Sequence, residues 1–370
     1  MLLFQQKDRA STETSVRKFY VFSARTAVNE QLCQQFRLAG FNAVEGIEQD
    51  ITQLSHFTIP DNASGVVVDI GSSTEVMEMV NTLQMQVPRK VWCCVVGESD
   101  SITLAQTFAH NNVGYFNLHM QQDLMVQAAL GGIELRNNRS AVNISVLGCK
   151  GGVGCTTIAW QLAGEITRLK QLPTLFIQGG CGSRDLDLYA GKKLSQEITS
   201  LQKNLDIMSS AGGAWPELPS DIAQHYNFVV FEQSITTADK ELMRQLAEKS
   251  RCLVLVIERS LASVRVARGM IENIELLRRS SHTPRRLFVC LNDTRPVALD
   301  ALSLMDIKTL LGHPIDIAFT YNRRQSPPKQ AKKRLIHSPL DRLTSAVLGG
   351  ESARKKSRIN RLFSHLRRGN

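Results

Sequence analysis

The run Gly148-Cys149-Lys150-Gly151-Gly152-Val153-Gly154-Cys155-Thr156-Thr157 has residue types and spacing suited to holding a phosphate. Glycines let a backbone curl around an anion, and the start of a helix offers N–H groups that have no acceptor of their own. A phosphate loop usually carries a lysine just before its hydroxyl pair, where it reaches the β- and γ-phosphates. Here that position is Cys155, and the lysine of the loop is Lys150, near its start. The chemistry on offer is anion binding with less positive charge than such a loop normally supplies.

The elements that must position this loop are legible around it. Val142–Leu147 is an apolar run that reads as a strand, and Ile158–Ala163 reads as the start of a helix. Upstream, Phe19–Phe22, Ser64–Asp69, Val91–Val96 and Gly114–Leu118 read as strands, and Glu30–Ala39, Thr74–Met85 and Ile102–His110 as helices. Apolar strands separated by amphipathic helices imply parallel sheets covered on both faces, hence an α/β chain. The first series predicts one five-stranded flavodoxin-like unit over residues 15–135, after a frayed 1–14. Asp69, at a strand end, reads as a solvated acid. A second βα series is expected over 136–322, and the segment 323–370, with Pro327-Pro328, Gly349-Gly350 and runs of Lys and Arg, as a flexible tail.

Bulk properties narrow the classes. Apolar residues make up 43% of the 370, ordinary for a chain with real cores. No apolar run approaches the roughly 18 residues of a membrane span, and Met1–Gln6 lacks the basic flank and length of a signal segment, so a cytoplasmic location is expected. The eight cysteines form no CxxC pair, and buried reduced thiols are expected rather than a zinc site. The net charge of +10 is a tail property. Residues 323–370 hold 14 Lys/Arg against Asp341 and Glu351, a net of +12, which leaves residues 1–322 at about −2. Within that tail, Ile359, Leu362, Phe363 and Leu366 follow i, i+3, i+4, i+7, and the basic residues lie mostly off that face, the form of an interfacial membrane helix.

Several stretches carry a family resemblance. Lys150 to Thr157 is similar to the deviant phosphate loop KGGVGKTT of the MinD/ParA superfamily. Phe176 to Leu188 resembles that superfamily's strand-DxD-GLRNLDL segment through Gly182, Arg184, Leu186, Asp187 and Leu188, but Gln178 and Gly180 stand where it has aspartates. Phe228–Phe231 followed by Glu232-Gln233-Ser234 resembles the Walker B strand, with Glu232 for the aspartate. Leu287–Asp293 resembles the adenine-side strand ending in Asn292, Ser263-Val264-Arg265 a helix start, and 302–315 a late flanking helix. The first series resembles a response-regulator receiver domain in which the acid pocket is missing: Ser23-Ala24-Arg25 follows the first strand, and Asn117-Leu118-His119 the last. A pseudo-receiver followed by a MinD-like P-loop domain resembles the TadZ/CpaE family of the MinD/ParA superfamily.

The resemblance implies a factor that places and assembles the Flp (Tad) pilus secretion machine at the cell pole. It implies a homodimer, with other pilus-machine proteins and the inner-membrane surface as partners, peripheral at that membrane. It implies a P-loop NTPase-type, mostly parallel sheet flanked by helices. ATP with Mg²⁺ is the implied cofactor, held by Lys150, Gly151, Gly152, Val153, Gly154, Cys155, Thr156, Thr157, Glu232 and Asn292, with Thr156 and Glu232 at the metal. Lys150 matches the lysine that reaches across the dimer. The aspartate missing at Gly180 is the one that positions the attacking water. Losing an electrostatic donor alone typically costs ~10²–10³ in rate, so efficient hydrolysis is not expected and no residue reads as catalytic. An active ParA/MinD-type ATPase switch and a DNA- or membrane-tethering adaptor are the alternatives. With little aromatic interleaving and no helix-turn-helix, nucleic acid is not an expected partner.

Overall fold

A computed structural model describes residues 18–54, 57–131, 140–192, 196–280, 286–321 and 338–349. The chain divides into two compact units, one of residues 1–83 with 87–139, the other of 84–86 with 140–370. The tail residues Ile359, Leu362, Phe363 and Leu366 lie outside the described residues.

In the first unit the chain runs β1 (Phe19–Phe22), α1 (Thr26–Leu38), β2 (Val44–Ile47), β3 (Gly65–Asp69), α2 (Val76–Gln86), β4 (Cys93–Gly97), α3 (Ile102–His110), β5 (Gly114–Asn117) and α4 (Gln122–Leu130). The strands form one parallel sheet in the order β2-β1-β3-β4-β5, the doubly wound order of flavodoxin-type folds. The apolar runs explain β1, β3 and β4, which are buried along their whole length. Val44-Glu45-Gly46-Ile47 has no such run, because β2 is an edge strand with one neighbour and no fully buried residue.

The second unit contains β6 (Val142–Gly148), α5 (Cys155–Lys170), β7 (Thr174–Gln178), α6 (Leu186–Ala190), β8 (Thr199–Gln202), β9 (Leu205–Ser209), α7 (Ser220–Ala223), β10 (Phe228–Ser234), α8 (Lys240–Lys249), β11 (Cys252–Ile257), α9 (Leu261–Ser280), β12 (Arg286–Asn292), α10 (Leu304–Leu311), β13 (Ile317–Phe319) and α11 (Pro339–Val347). Its eight-stranded sheet has the order β13-β12-β11-β6-β10-β7-β9-β8, parallel except for β8 against β9. Alternate residues of each strand feed two cores. Ile144, Val146, Val230 and Val254 pack with Ile158 and Leu162 of α5. Leu147, Val229, Phe231 and Leu255 pack with Leu246 of α8 and Ile271 of α9. From β6 the chain turns to β7 on one side and later, through β10, to β11 on the other. The loop after β6 therefore sits at the switch point where α/β sheets bind ligands.

The expectation of a flexible tail from residue 323 is corrected in part. Helix α11 is folded into the second unit, with Leu343 and Val347 fully buried in the core that holds α5. Its start is locally specified: Ser338 and Asp341 form a capping box, and Pro339 opens the helix. The surrounding basic residues hid a nine-residue element whose apolar positions lie four apart. Among the described residues no helix is long and apolar enough to cross a membrane.

Candidate functional site

The phosphate-type loop is built as its residues require. Gly152 and Gly154 take φ of 76° and 79°, the left-handed region that a side chain resists. Gly154 is also the N-cap of α5, without a side chain to cap the first N–H groups of that sixteen-residue helix, so they remain available to a ligand. A Cβ on Gly154 would lie 2.5 Å from Asn292 Nδ2, because that amide donates to the Val153 carbonyl at 2.8 Å. Asn292, expected on the adenine side, thus braces the loop from the end of β12. Thr157 shares a 2.6 Å hydrogen bond with the Tyr189 hydroxyl.

Cys155 contributes no charge to this cradle. Its buried thiol faces the Val146 carbonyl at 3.4 Å, and burial first, then the neighbouring Glu232, holds its pKa well above the ordinary thiol value. Lys150 is paired with Glu258 just past β11. Partial burial opposes the charged form of Glu258, but bonds from Lys150 and Ser260 outweigh it and lower its pKa. Nothing in the sequence signals this partner, 108 residues away. The lysine side chain is 40% exposed and the glutamate 17%, so the pair is worth about 1 kcal/mol at most. Glu258→Gln should therefore free Lys150 for an anion, with a gain in affinity for a phosphate group of at most about fivefold. Isothermal titration of the variant checks this, and an unchanged or weakened affinity would remove the competition between Glu258 and a phosphate.

The carboxyl end of β10 supplies Glu232. Thr156 Oγ1 donates to Glu232 Oε1 at 3.3 Å. Gln178, in register with Glu232 on β7, lies on the same face of the sheet. Burial raises the Glu232 pKa from the ordinary 4.5 to about 7, while Cys155, Thr156 and Gln178 restrain the rise and Asp185 adds to it. The folded state therefore keeps a proton that the unfolded chain releases. That contribution to stability is intact below pH ~4.5 and is lost progressively as pH rises to and past about 7. Its full size is on the order of 3 kcal/mol. Glu232→Gln should flatten the fall in melting temperature between pH 5 and pH 8 relative to the parent. Parallel profiles for the two proteins would show that Glu232 does not titrate in this window.

The backbone around Gln178 and Gly180 is closely packed. Gly180 N donates to Gly212 O and Ser210 N to Gln178 O, both at 2.7 Å, which lays residues 210–212 alongside 178–180. A Cβ on Gly180 would overlap the Ala211 carbonyl oxygen and come within 2.6 Å of its carbon and 2.9 Å of the Gly212 carbon. Arg184 locks the arrangement, donating to Gly180 O at 2.9 Å and Ala211 O at 3.4 Å. Backbone occupies the space that a carboxylate on residue 180 would need.

The switch point of the first unit, between β1 and β3, is filled by the chain itself. Arg25 Nε and Nη2 donate to the two Asp69 oxygens at 2.9 and 2.7 Å. Ser23 Oγ and Gly71 N add bonds of 2.6 and 2.9 Å, and Arg25 Nη1 pairs with Glu98. Asp69 is not the solvated acid expected: its side chain is 2% exposed. Arg25, three residues after β1, provides the positive charge at a pocket where the sequence showed only missing acids.

Of the eight cysteines, all free, only Cys181 is not buried. No family model matches the chain, and no curated protein does. Among solved structures, it is similar to a ParA family ATPase from Chlorobium tepidum TLS, at 18% identity over 50% of this chain and 85% of that one, with a TM-score of 0.39. It is similar to the MinC:MinD cell division protein complex of Aquifex aeolicus, at 16% identity over 50% and 83%, with a TM-score of 0.39. The cell division ATPase MinD of Pyrococcus furiosus aligns at 14% identity over 48% and 82%, with a TM-score of 0.35.

Proposed function

We propose that the second unit binds the phosphates of a nucleotide, ATP by the MinD/ParA resemblance, and that occupancy rather than cleavage is its output. The observation that carries this reading is the contrast between two halves of one site. The loop after β6 keeps its left-handed glycines and the uncapped N-terminus of α5. The place of a water-orienting carboxylate is taken by the backbone of Ala211 and Gly212. Phosphoryl transfer depends on positioning and charge neutralisation, so a site that keeps the cradle and lacks the rest is suited to holding its ligand. In this role Lys150 leaves Glu258 for an anion, Thr156 offers its hydroxyl, and Asn292 keeps the loop in shape.

A ligand bound only by one association state shifts the population toward that state in proportion to its concentration. With the TadZ/CpaE resemblance, this supports a MinD-like factor that places and assembles the Flp pilus secretion machine at the cell pole. It acts as a homodimer, with other proteins of that machine and the inner-membrane surface as partners. The first unit serves as a docking or dimerisation module.

Titrating the full chain and Lys150→Ala with ATP while following affinity and mass tests this reading. A doubling of mass with ATP, lost in the variant, is expected. A mass unchanged at saturating ATP removes the dimer switch. Co-sedimentation with anionic liposomes of the full chain and of residues 1–350 tests the membrane partner, and equal pelleting removes it.

A further inference from the structure

Cys181 follows Gly180, past the end of β7, and is the one cysteine that is not buried. Burial raises the pKa of Cys33, Cys94, Cys149, Cys155, Cys252 and Cys290 and keeps them as thiols. Thiolate character and access decide which cysteine of a chain is oxidised, and access favours Cys181.

A buried amide beside that thiol supplies the independent observation. Gln233 is 0% exposed. It lies on β10 with its side chain on the opposite face from Glu232. Its Oε1 accepts from Cys181 N at 3.3 Å, which orients the amide. Its Nε2 makes no hydrogen bond among the described residues. A buried N–H without an acceptor carries a desolvation penalty, and the phosphate site makes no use of this one. An acceptor has a place to sit. A Cβ on Gly213 would lie 2.7 Å from Gln233 Nε2 and 3.0 Å from Cys181 Sγ, with Leu242 Cδ2 at 3.5 Å. Gly213 has no such atom, so the thiol and the amide flank one small space. An oxygen bonded to Sγ and turned toward Nε2 enters that space and becomes the acceptor that the amide lacks.

We propose that Cys181 is an oxidation site for a peroxide, and that the Gln233 amide receives the new oxygen. The sulfur attacks one peroxide oxygen, the O–O bond breaks and an S–O bond forms. Sulfur gives up two electrons, and the other oxygen leaves as water or an alcohol, carrying the proton of the thiol. The product is a sulfenic acid, the reversible first step of cysteine oxidation. The site does not depend on nucleotide binding.

The test exposes the full-length chain to hydrogen peroxide, traps sulfenic acid with dimedone and reads each cysteine by peptide mass spectrometry. Label is expected at Cys181 and at none of the buried cysteines, whose labelling would report unfolding. No label at Cys181 in the folded parent overturns the proposal. Two variants test the amide by different routes. Gln233→Glu keeps an acceptor for Cys181 N but turns a carboxylate oxygen toward the sulfenic acid. Gly213→Ala places a methyl group in the space itself, at a position whose φ is not left-handed. Each should lower the yield of labelled Cys181 about tenfold, relative to alkylation of the same thiol by iodoacetamide, which reads access alone. Labelling that matches the parent on this scale overturns the proposal, and either variant decides if the other fails to fold.

Discussion

Arg25→Ala should destabilise the first unit by about 3 kcal/mol. Removing one partner of a buried ion pair costs about 3–5 kcal/mol because the other charge is left desolvated and unpaired. The lower end applies here, since the guanidinium is 35% exposed while the Asp69 carboxylate is 2% exposed. The loss is of pairing more than of packing. The double variant Arg25→Ala/Asp69→Ala should therefore recover most of it, because no charge is then stranded. Hydrogen exchange at the amides of Val66, Val67 and Val68 in β3 reads the unit by itself, and exchange there should accelerate about a hundredfold. If Arg25→Ala exchanges like the parent, Asp69 is solvated after all, and the switch point is open to an external cation.

Gly180→Asp should cost about 2–3 kcal/mol and restore no turnover. On sequence grounds it would reinstate the acid that positions water. In the fold its Cβ would overlap the Ala211 carbonyl oxygen, and the obstacle is backbone held by Gly180 N, Ser210 N and Arg184. Overpacking of this kind typically costs 1–3 kcal/mol, and the backbone obstacle places this case toward the upper end. Thermal unfolding checks the cost and a coupled-enzyme assay checks the turnover. A stable Gly180→Asp protein that hydrolyses ATP would mean that only a side chain had been lost, and the site would be one substitution away from an enzyme.

These expectations show where the sequence was readable. The phosphate loop, the strand before it and the helix after it were legible because β6 is a mostly apolar central strand, buried at all but Asn143, and glycines so spaced suit a left-handed turn. The burial of β1, β3 and β4 was legible for the same reason. β2 was not, because an edge strand with one neighbour needs no apolar run. α11 was masked by the basic residues around it, although its Ser-Pro-x-Asp start is a local cap signal. Within the site, the substitutions Cys155, Gln178, Gly180 and Glu232 were visible as letters, but their consequences were not. Lys150 with Glu258, Arg25 with Asp69, and Gly180 against Ala211 join residues 108, 44 and 31 positions apart. Such contacts are set by sheet order, which periodicity does not encode. The approach of Ala211 is a backbone contact, invisible in any side-chain pattern.

The most direct measurement is the chemical state of nucleotide bound to the full chain. The protein is incubated with ATP and magnesium for many turnovers of an ordinary ATPase, separated from free nucleotide, and the bound fraction is identified by chromatography. ATP recovered intact is the expected result. Recovery as ADP would mean that water is positioned and activated without a carboxylate at residue 180, and the case for a site that holds rather than cleaves would fall.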